Sequence, residues 1–372
     1  MKRRKTLALA AAGTGLVLAL TACGANSATN DGSGGGGAAN GGPKVGVILP
    51  ETASSARWAG FDQPMLQEAL TKAGLDPIIE NAQGDNQRFT QQADNMLSQG
   101  VKVLIVSAPS GDVGATVEQK AKQQGVPVID YDRLNLGGSA DYYVSFDNVQ
   151  VGRLQGQALA DSLKDTPGAQ VIEIEGSPTD HNATLFYEGQ QEIVGPLYDS
   201  GALKKVASQR IDKWDNAVGG STFEQFLSAN GGKVDGVLAA NDGMAGAVIT
   251  VLQKNGLAGR VPVTGQDASA AGLKSILLGQ QYSTVFKPIK EEAEATAALA
   301  AALVKGDTAA ADAIAKQTST DPTGNRQVKS VLLTPQSITR DNVKVPVEQG
   351  YVKASEICGA DTAAVCQELG IS

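Results

Sequence analysis

The stretch VPVIDYDR, residues 126–133, returns in part as VPVTGQD at 261–267, so Val-Pro-Val-x-x-x-Asp stands twice in the chain. Each copy is a short β-branched run that ends in polar residues and a carboxylate. A short apolar run bounded by turn residues and preceded by a helical pattern reads as a buried parallel strand. Polar residues at its carboxyl end sit where open α/β sheets place ligands. The neighbourhoods repeat as well: Lys102-Val103 and Lys233-Val234 open an apolar run before each copy, and an apolar-aromatic run follows each, at 142–146 and 282–286. Two such tips, about 135 residues apart, predict two similar lobes facing one cleft.

Outward from the repeat, strand and helix patterns alternate. Strands are expected at 44–49, 77–81, 103–107, 126–130 and 142–146, and again at 170–175, 206–211, 236–240, 261–265 and 283–286. Alternation of this kind implies parallel sheets. The fold class is therefore α/β: two doubly wound, Rossmann-like lobes joined by a hinge of several strands, with a ligand cleft between them. The N-terminal lobe is assigned to 44–148 and completed by about 288–325; the C-terminal lobe is assigned to 149–287 and completed by about 326–350. Crossovers are expected near 146–151, at 287–288 and after Asn325, and 351–372 form a C-terminal extension.

The first residues read as an address. Lys2, Arg3, Arg4 and Lys5 precede an apolar run that ends at Leu20, too short for a comfortable membrane span and suited to a signal segment. Leu20-Thr21-Ala22-Cys23 resembles a bacterial lipobox, which implies a lipoprotein signal over 1–22 and lipidation of Cys23. Residues 23–43 are rich in glycine, serine, asparagine and alanine and read as a disordered tether with a reach of roughly 25 Å. The formal charge is −8; loss of the signal removes four basic side chains and no acidic ones, leaving about −12. That balance argues against nucleic acid and for a body outside the membrane. Besides Cys23 only Cys358 and Cys366 remain, and in an oxidising compartment they are expected to pair. Continuous helix would hold their Cα atoms roughly 12 Å apart, too far to bridge, so the chain must turn near 359–361.

Motifs of catalysis are missing from the sequence. Neither G-x-G-x-x-G nor G-x-x-x-x-G-K follows a strand, no G-x-S-x-G elbow occurs, and a single histidine with no cysteine cluster offers no metal site. The chain reads as a non-enzyme without a cofactor, and His181 as a residue of the surface or cleft rim. The post-strand loops carry a different set: Ser55-Ala56-Arg57-Trp58, Asp132-Arg133, Asp180-His181-Asn182, Trp214, Asn241-Asp242, Asp267 and Lys287. Sugar hydroxyls donate and accept, and Asp, Asn and Arg answer both roles with charge-assisted bonds. The C–H faces of a sugar lie well against tryptophan. Asp242 is expected to cap a helix, and capping is the bland alternative for Asp132 and Asp267.

The segments SARW, YDR, SFDN, GSPTDHNATLF, AAND, GQDA and STVFKP resemble those of periplasmic sugar-binding proteins of the type I fold. The nearest branch is that of the xylose-binding protein and the related binder of several aldoses. The resemblance runs from about Lys44 to beyond Lys287. It implies ligand contacts by Arg57, Trp58, Asp132, Arg133, Asp180, Asn182, Asn241, Asp267 and Lys287, with Trp214 as a second stacking platform. It also implies a monomeric, lipid-anchored receptor outside the cytoplasm that closes on a monosaccharide, D-xylose first, and hands it to an ABC permease with its cytoplasmic ATPase. The alternative is a receptor of broad aldose specificity that presents bound sugar to a membrane signalling sensor.

Overall fold

A computed structural model describes residues 41–371. The signal segment, Cys23 and nearly all of the tether lie outside the described residues. The strands are β1 (Lys44–Leu49), β2 (Asp76–Asn81), β3 (Val103–Val106), β4 (Val128–Tyr131), β5 (Tyr142–Phe146), β6 (Ala169–Glu175), β7 (Leu203–Arg210), β8 (Gly236–Ala239), β9 (Thr284–Phe286), β10 (Gln317–Asp321), β11 (Arg326–Leu333) and β12 (Gln336–Ile338). The first sheet runs β10-β11-β5-β4-β3-β1-β2, parallel throughout except for the edge strand β10. The second runs β7-β6-β8, also parallel, and a single parallel bridge from Val237 to Val263 adds a fourth position. Both sheets thus share one plan, with the order reversing beside the first strand of each. In such sheets the loops after the strands part at that reversal and open a crevice.

Helices cover both faces of each sheet, which is why β3, β4 and β5 are buried along their whole length. Val45, Val47 and Leu49 pack with Leu66, Leu70, Ala293 and Ala297 on one face. Ile48 and Val106 pack with Phe89, Met96 and Val117 on the other. The alanine-rich helix Ile289–Val304 therefore returns to the first sheet after β9 has left the second. In the second lobe the helices Asn148–Leu163 and His181–Asp199 cross closely on glycine. A Cβ on Gly152 would overlap the Phe186 carbonyl, and one on Gly189 the Val149 carbonyl.

The sequence repeat is a repeat of hydrogen bonding. Pro127 O accepts from Leu104 N at 3.0 Å, and Pro262 O from Val237 N at 2.9 Å. Val128 O accepts from Asp141 N and Val263 O from Tyr282 N, both at 2.9 Å. Asp132 N donates to Val144 O and Asp267 N to Val285 O, both at 2.8 Å.

Three expectations need correction. The fourth strand of the second lobe is reduced to one bridge, because the Thr264 hydroxyl takes the ladder's place: it accepts from Ala239 N at 3.0 Å and donates to Ala239 O at 3.1 Å. β9, expected as that sheet's fifth strand, instead pairs antiparallel with β12. Residues 326–333, assigned to the C-terminal lobe, belong to the first sheet, because β11 pairs with β5 and forms a hairpin with β10. The Asp321 carboxylate builds that hairpin's turn by accepting from Thr323 N, Gly324 N and Arg326 Nε at 2.9–3.1 Å. The third crossover thus falls at Thr334-Pro335, between β11 and β12.

The C-terminal segment packs Val352, Ile357, Cys366 and Ile371 onto Leu273, Leu277 and Phe286. A disulfide joins Cys358 to Cys366 with Cα atoms 6.0 Å apart. Between them the chain leaves the helix Ala354–Ile357 and turns before the helix Ala363–Leu369, with Thr362 Oγ1 donating to Ile357 O at 2.6 Å.

Candidate functional site

Arg57, Trp58, Asp132, Arg133, Asp180, Asn182, Trp214, Asn241, Asp267 and Lys287 all line one cavity between the two sheets. All sit in loops or helix starts that follow strands, the position open α/β sheets give to ligand-binding groups. Arg57 and Trp58 follow β1, Asp132 and Arg133 follow β4, and Lys287 follows β9. Asp180 and Asn182 follow β6, Trp214 follows β7, Asn241 follows β8, and Asp267 follows the Val263 bridge.

The backbone is specialised at the equivalent tips. Asp132 and Asp267 hold φ of 63° and 97°, a left-handed region that aspartate enters more readily than most residues. Neither caps the helix that follows the second copy; Ser269 does, accepting from Gly272 N at 3.0 Å. Lys213 and Trp214 also lie at positive φ, 55° each. Such a conformation is expensive for an aromatic residue and persists only where its surroundings hold it. Trp214 is held by its Nε1 donating to Asp180 Oδ2 at 3.0 Å, by edge contact with Phe186 at 6.3 Å, and by Gly176, where any Cβ would overlap the indole.

Charge is dense and paired. Arg57 donates through Nε and Nη2 to Asp62 at 2.8 and 2.6 Å, through Nη1 to Asp132 at 2.6 Å, and through Nη2 to Glu292 at 3.0 Å. A single turn of π-helix, Trp58–Asp62, supplies the five-residue step that sets Asp62 against Arg57. Arg133 bonds Glu51 at 2.9 Å and Ala108 O at 3.1 Å, and its Nε lies 3.0 Å from Asp180. Trp58 sits with the guanidinium carbons of Arg57 and Arg133 at 4.5 and 5.2 Å from its ring centre, a cation–π arrangement. Lys287 lies 3.2 Å from Asp267 and 3.9 Å from Asp132. Burial alone would push the Asp132 carboxyl up, but the Arg57, Lys287 and Arg133 charges outweigh it and hold it below the ordinary range. Burial, with Asp132 nearby, leaves Asp180 raised despite Arg133. His181, half-buried at the start of its helix, is pushed down by burial.

Several bonds cross between the two lobes. Ser55 Oγ donates to Asp267 Oδ2 at 2.8 Å, and Asn182 Nδ2 to Asp132 O at 2.9 Å. Asn241 Nδ2 donates to Ser54 O at 3.4 Å and Asn216 Nδ2 to Ala53 O at 3.3 Å. They draw the walls together around an inner cavity of about 30 Å³. A wider cavity of about 790 Å³ lies outside, sharing Ser54, Arg133 and Trp214 with the inner one. The inner cavity is the better candidate, because the buried donors and acceptors converge there.

Asp242, expected to cap a helix, does not; Asn241, which lines the cavity, does so instead. Asn241 caps the helix Asp242–Lys254 by accepting from Met244 N, while Asp242 ties together Ser269, Gln281 and Thr284. Ser54, Phe186 and Gln266 also line the cavity without having been singled out, and Asp62, Glu292 and Tyr143 support it from behind. Among the described residues no cluster of His, Cys, Asp and Glu is arranged for a metal, and no helix is long and apolar enough to cross a membrane.

The family model of the periplasmic binding protein domain matches residues 45–308. The D-xylose-binding periplasmic protein of Escherichia coli is 36% identical over 317 residues, 84% of this chain and 92% of that protein. The multiple sugar-binding periplasmic receptor ChvE of Rhizobium radiobacter is 37% identical over 330 residues, again 84% and 92%. Among solved structures, an ABC transporter solute-binding protein of Clostridium phytofermentans with bound β-D-glucose superposes with a TM-score of 0.76 at 29% identity, covering 84% of this chain and 99% of that one. The fold is that of the type I periplasmic binding proteins, and the chain belongs to the periplasmic binding protein family.

Proposed function

We propose that this chain is the extracytoplasmic receptor of an ABC sugar importer, closing on one monosaccharide, D-xylose first, and delivering it to the permease. The observation that carries the reading is the convergence of Arg57, Asp132 and Arg133 from one lobe with Asp180, Asn182, Asn241 and Asp267 from the other on one buried cavity. Such a set serves hydroxyls that donate and accept, and Trp58 and Trp214 offer faces for the ring. The relatives named for xylose and for multiple sugars support the ligand class.

The lobes hinge at Asp147, at Lys287-Pro288 and at Thr334-Pro335. The inter-lobe bonds of Ser55 and Asn182 open to admit the sugar, whose hydroxyls then replace them. Sugar that touches both lobes favours the closed form by its differential affinity for it. The lipobox-like leader implies that Cys23 anchors the receptor to the membrane, with residues 24–43 as tether. A second reading, a receptor of broad aldose specificity that serves a membrane sensor, is favoured by the relative named as a multiple sugar-binding receptor.

Calorimetry with D-xylose, D-glucose, D-galactose and L-arabinose tests both readings. Binding of xylose with rejection of the six-carbon aldoses supports the first, and similar affinities across the panel support the second. Absence of heat with all four, on folded protein, overturns both.

A further inference from the structure

Glu292 stands in the first turn of the helix Ile289–Val304, five residues after the cavity residue Lys287 and fully buried. Its Oε2 accepts from Arg57 Nη2 at 3.0 Å, and its Oε1 has no hydrogen-bond partner among the described residues. A guanidinium carries five N–H donors. Here Asp62 takes one from Nε and one from Nη2, Glu292 takes the second from Nη2, and Asp132 takes one from Nη1. The remaining donor belongs to Nη1, on the side of the cavity residue Asp132. Asp62 grips one edge of the fork and Glu292 the end of Nη2, so the plane cannot turn without breaking a bond to a buried carboxylate.

We propose that Glu292 is a positioning residue of the sugar site, holding the Arg57 guanidinium so that its last Nη1 donor faces the ligand. The inference rests on the sugar-binding reading above. The groups facing Glu292 are Arg57 and Asp62 after β1, Tyr131 and Asp132 at the end of β4, Tyr143 of β5, Lys287 after β9 and Tyr351 of the C-terminal segment. Burial lifts the Glu292 carboxyl most; Arg57 and Lys287 oppose this, Asp132 and Asp62 add to it, and the carboxyl stays well above its ordinary range.

The test uses Glu292→Ala and Glu292→Gln, each alone and with Arg57→Lys, in calorimetric titrations with D-xylose at pH 7. Glu292→Ala should weaken binding about tenfold or more, the loss of one charge-assisted bond. Glu292→Gln keeps an acceptor and should lose less. In the Arg57→Lys background either change should cost less than about twofold, since the group it positions is gone. Nitrogen NMR of the Arg57 side chain, recorded without sugar, should show separate, slowly rotating Nη groups in the wild type and averaged ones in Glu292→Ala. Wild-type affinity in Glu292→Ala, an equal loss in the Arg57→Lys background, or unchanged Arg57 Nη resonances overturns the proposal. If the wild type binds no aldose, the sugar reading falls while the NMR comparison still decides whether Glu292 positions Arg57.

Discussion

Replacing Asp132 with Asn isolates the charge at the most connected tip of the site. Asparagine tolerates the left-handed backbone that position requires, φ 63°, so the main chain is not the variable. The backbone carbonyl keeps its bonds from Tyr143, Ser145 and Asn182 at 2.8–2.9 Å. What disappears is the carboxylate that accepts from Arg57 Nη1 at 2.6 Å and faces Lys287 at 3.9 Å. A charge-assisted bond contributes about 1.5–3 kcal/mol. If the same oxygen orders Arg57 and accepts a sugar hydroxyl, affinity for D-xylose should fall about 10- to 100-fold. Asp62 and Glu292 still hold Arg57, so the fold should survive with an unchanged circular dichroism spectrum. Calorimetry at pH 7 on wild type and variant gives the comparison, with Asp199→Asn as a surface control. A folded Asp132→Asn protein that binds within twofold of wild type would refute the assignment of this carboxylate to the ligand.

The only two tryptophans, Trp58 and Trp214, both line the cavity, so intrinsic emission should change on sugar addition, and Trp58→Phe and Trp214→Phe should each remove part of the change. An emission spectrum indifferent to saturating sugar would contradict that placement. Burial first, and then Glu173, pushes Glu175 up from 4.5 to about 8. An acid raised in the native state keeps its proton after the unfolded chain has lost it, so stability falls as pH rises between those two values. Glu175→Gln should therefore gain melting temperature over wild type progressively from pH 5 to 8; an advantage that does not vary with pH would sink the idea. Opening the Cys358–Cys366 loop by Cys358→Ser with Cys366→Ser should cost about 2–3 kcal/mol of stability in denaturant titrations. Mass spectrometry that finds two free thiols in the exported protein would show that the bridge does not form.

Much of the architecture was legible because the chain states its plan twice. Val-Pro-Val-x-x-x-Asp marks two segments whose hydrogen bonds match donor for donor, and the carboxylate of each ends in the same cavity. The sheet edges were harder to read. Thr264 looks like a strand residue, yet its hydroxyl replaces the backbone in pairing with Ala239, a local competition that β-propensity does not register. The β10–β11 hairpin was written in Asp321-Pro322-Thr323-Gly324-Asn325, a run of turn-forming residues, and reading it would have kept 326–333 in the first sheet. The buried partners of Arg57 were not legible. Asp62 reaches it through a π-helical step, and Glu292 lies 235 residues away in a helix otherwise rich in alanine. A carboxylate that serves another side chain leaves no spacing signal of its own.

A crystal structure of the protein grown with D-xylose tests the central claim most directly. The account predicts one sugar ring in the inner cavity between the sheets, bonded by Arg57 and Asp132 from the first lobe and by Asn182, Asn241 and Asp267 from the second. Sugar density confined to the outer 790 Å³ cavity, or contacts from one lobe alone, would contradict it.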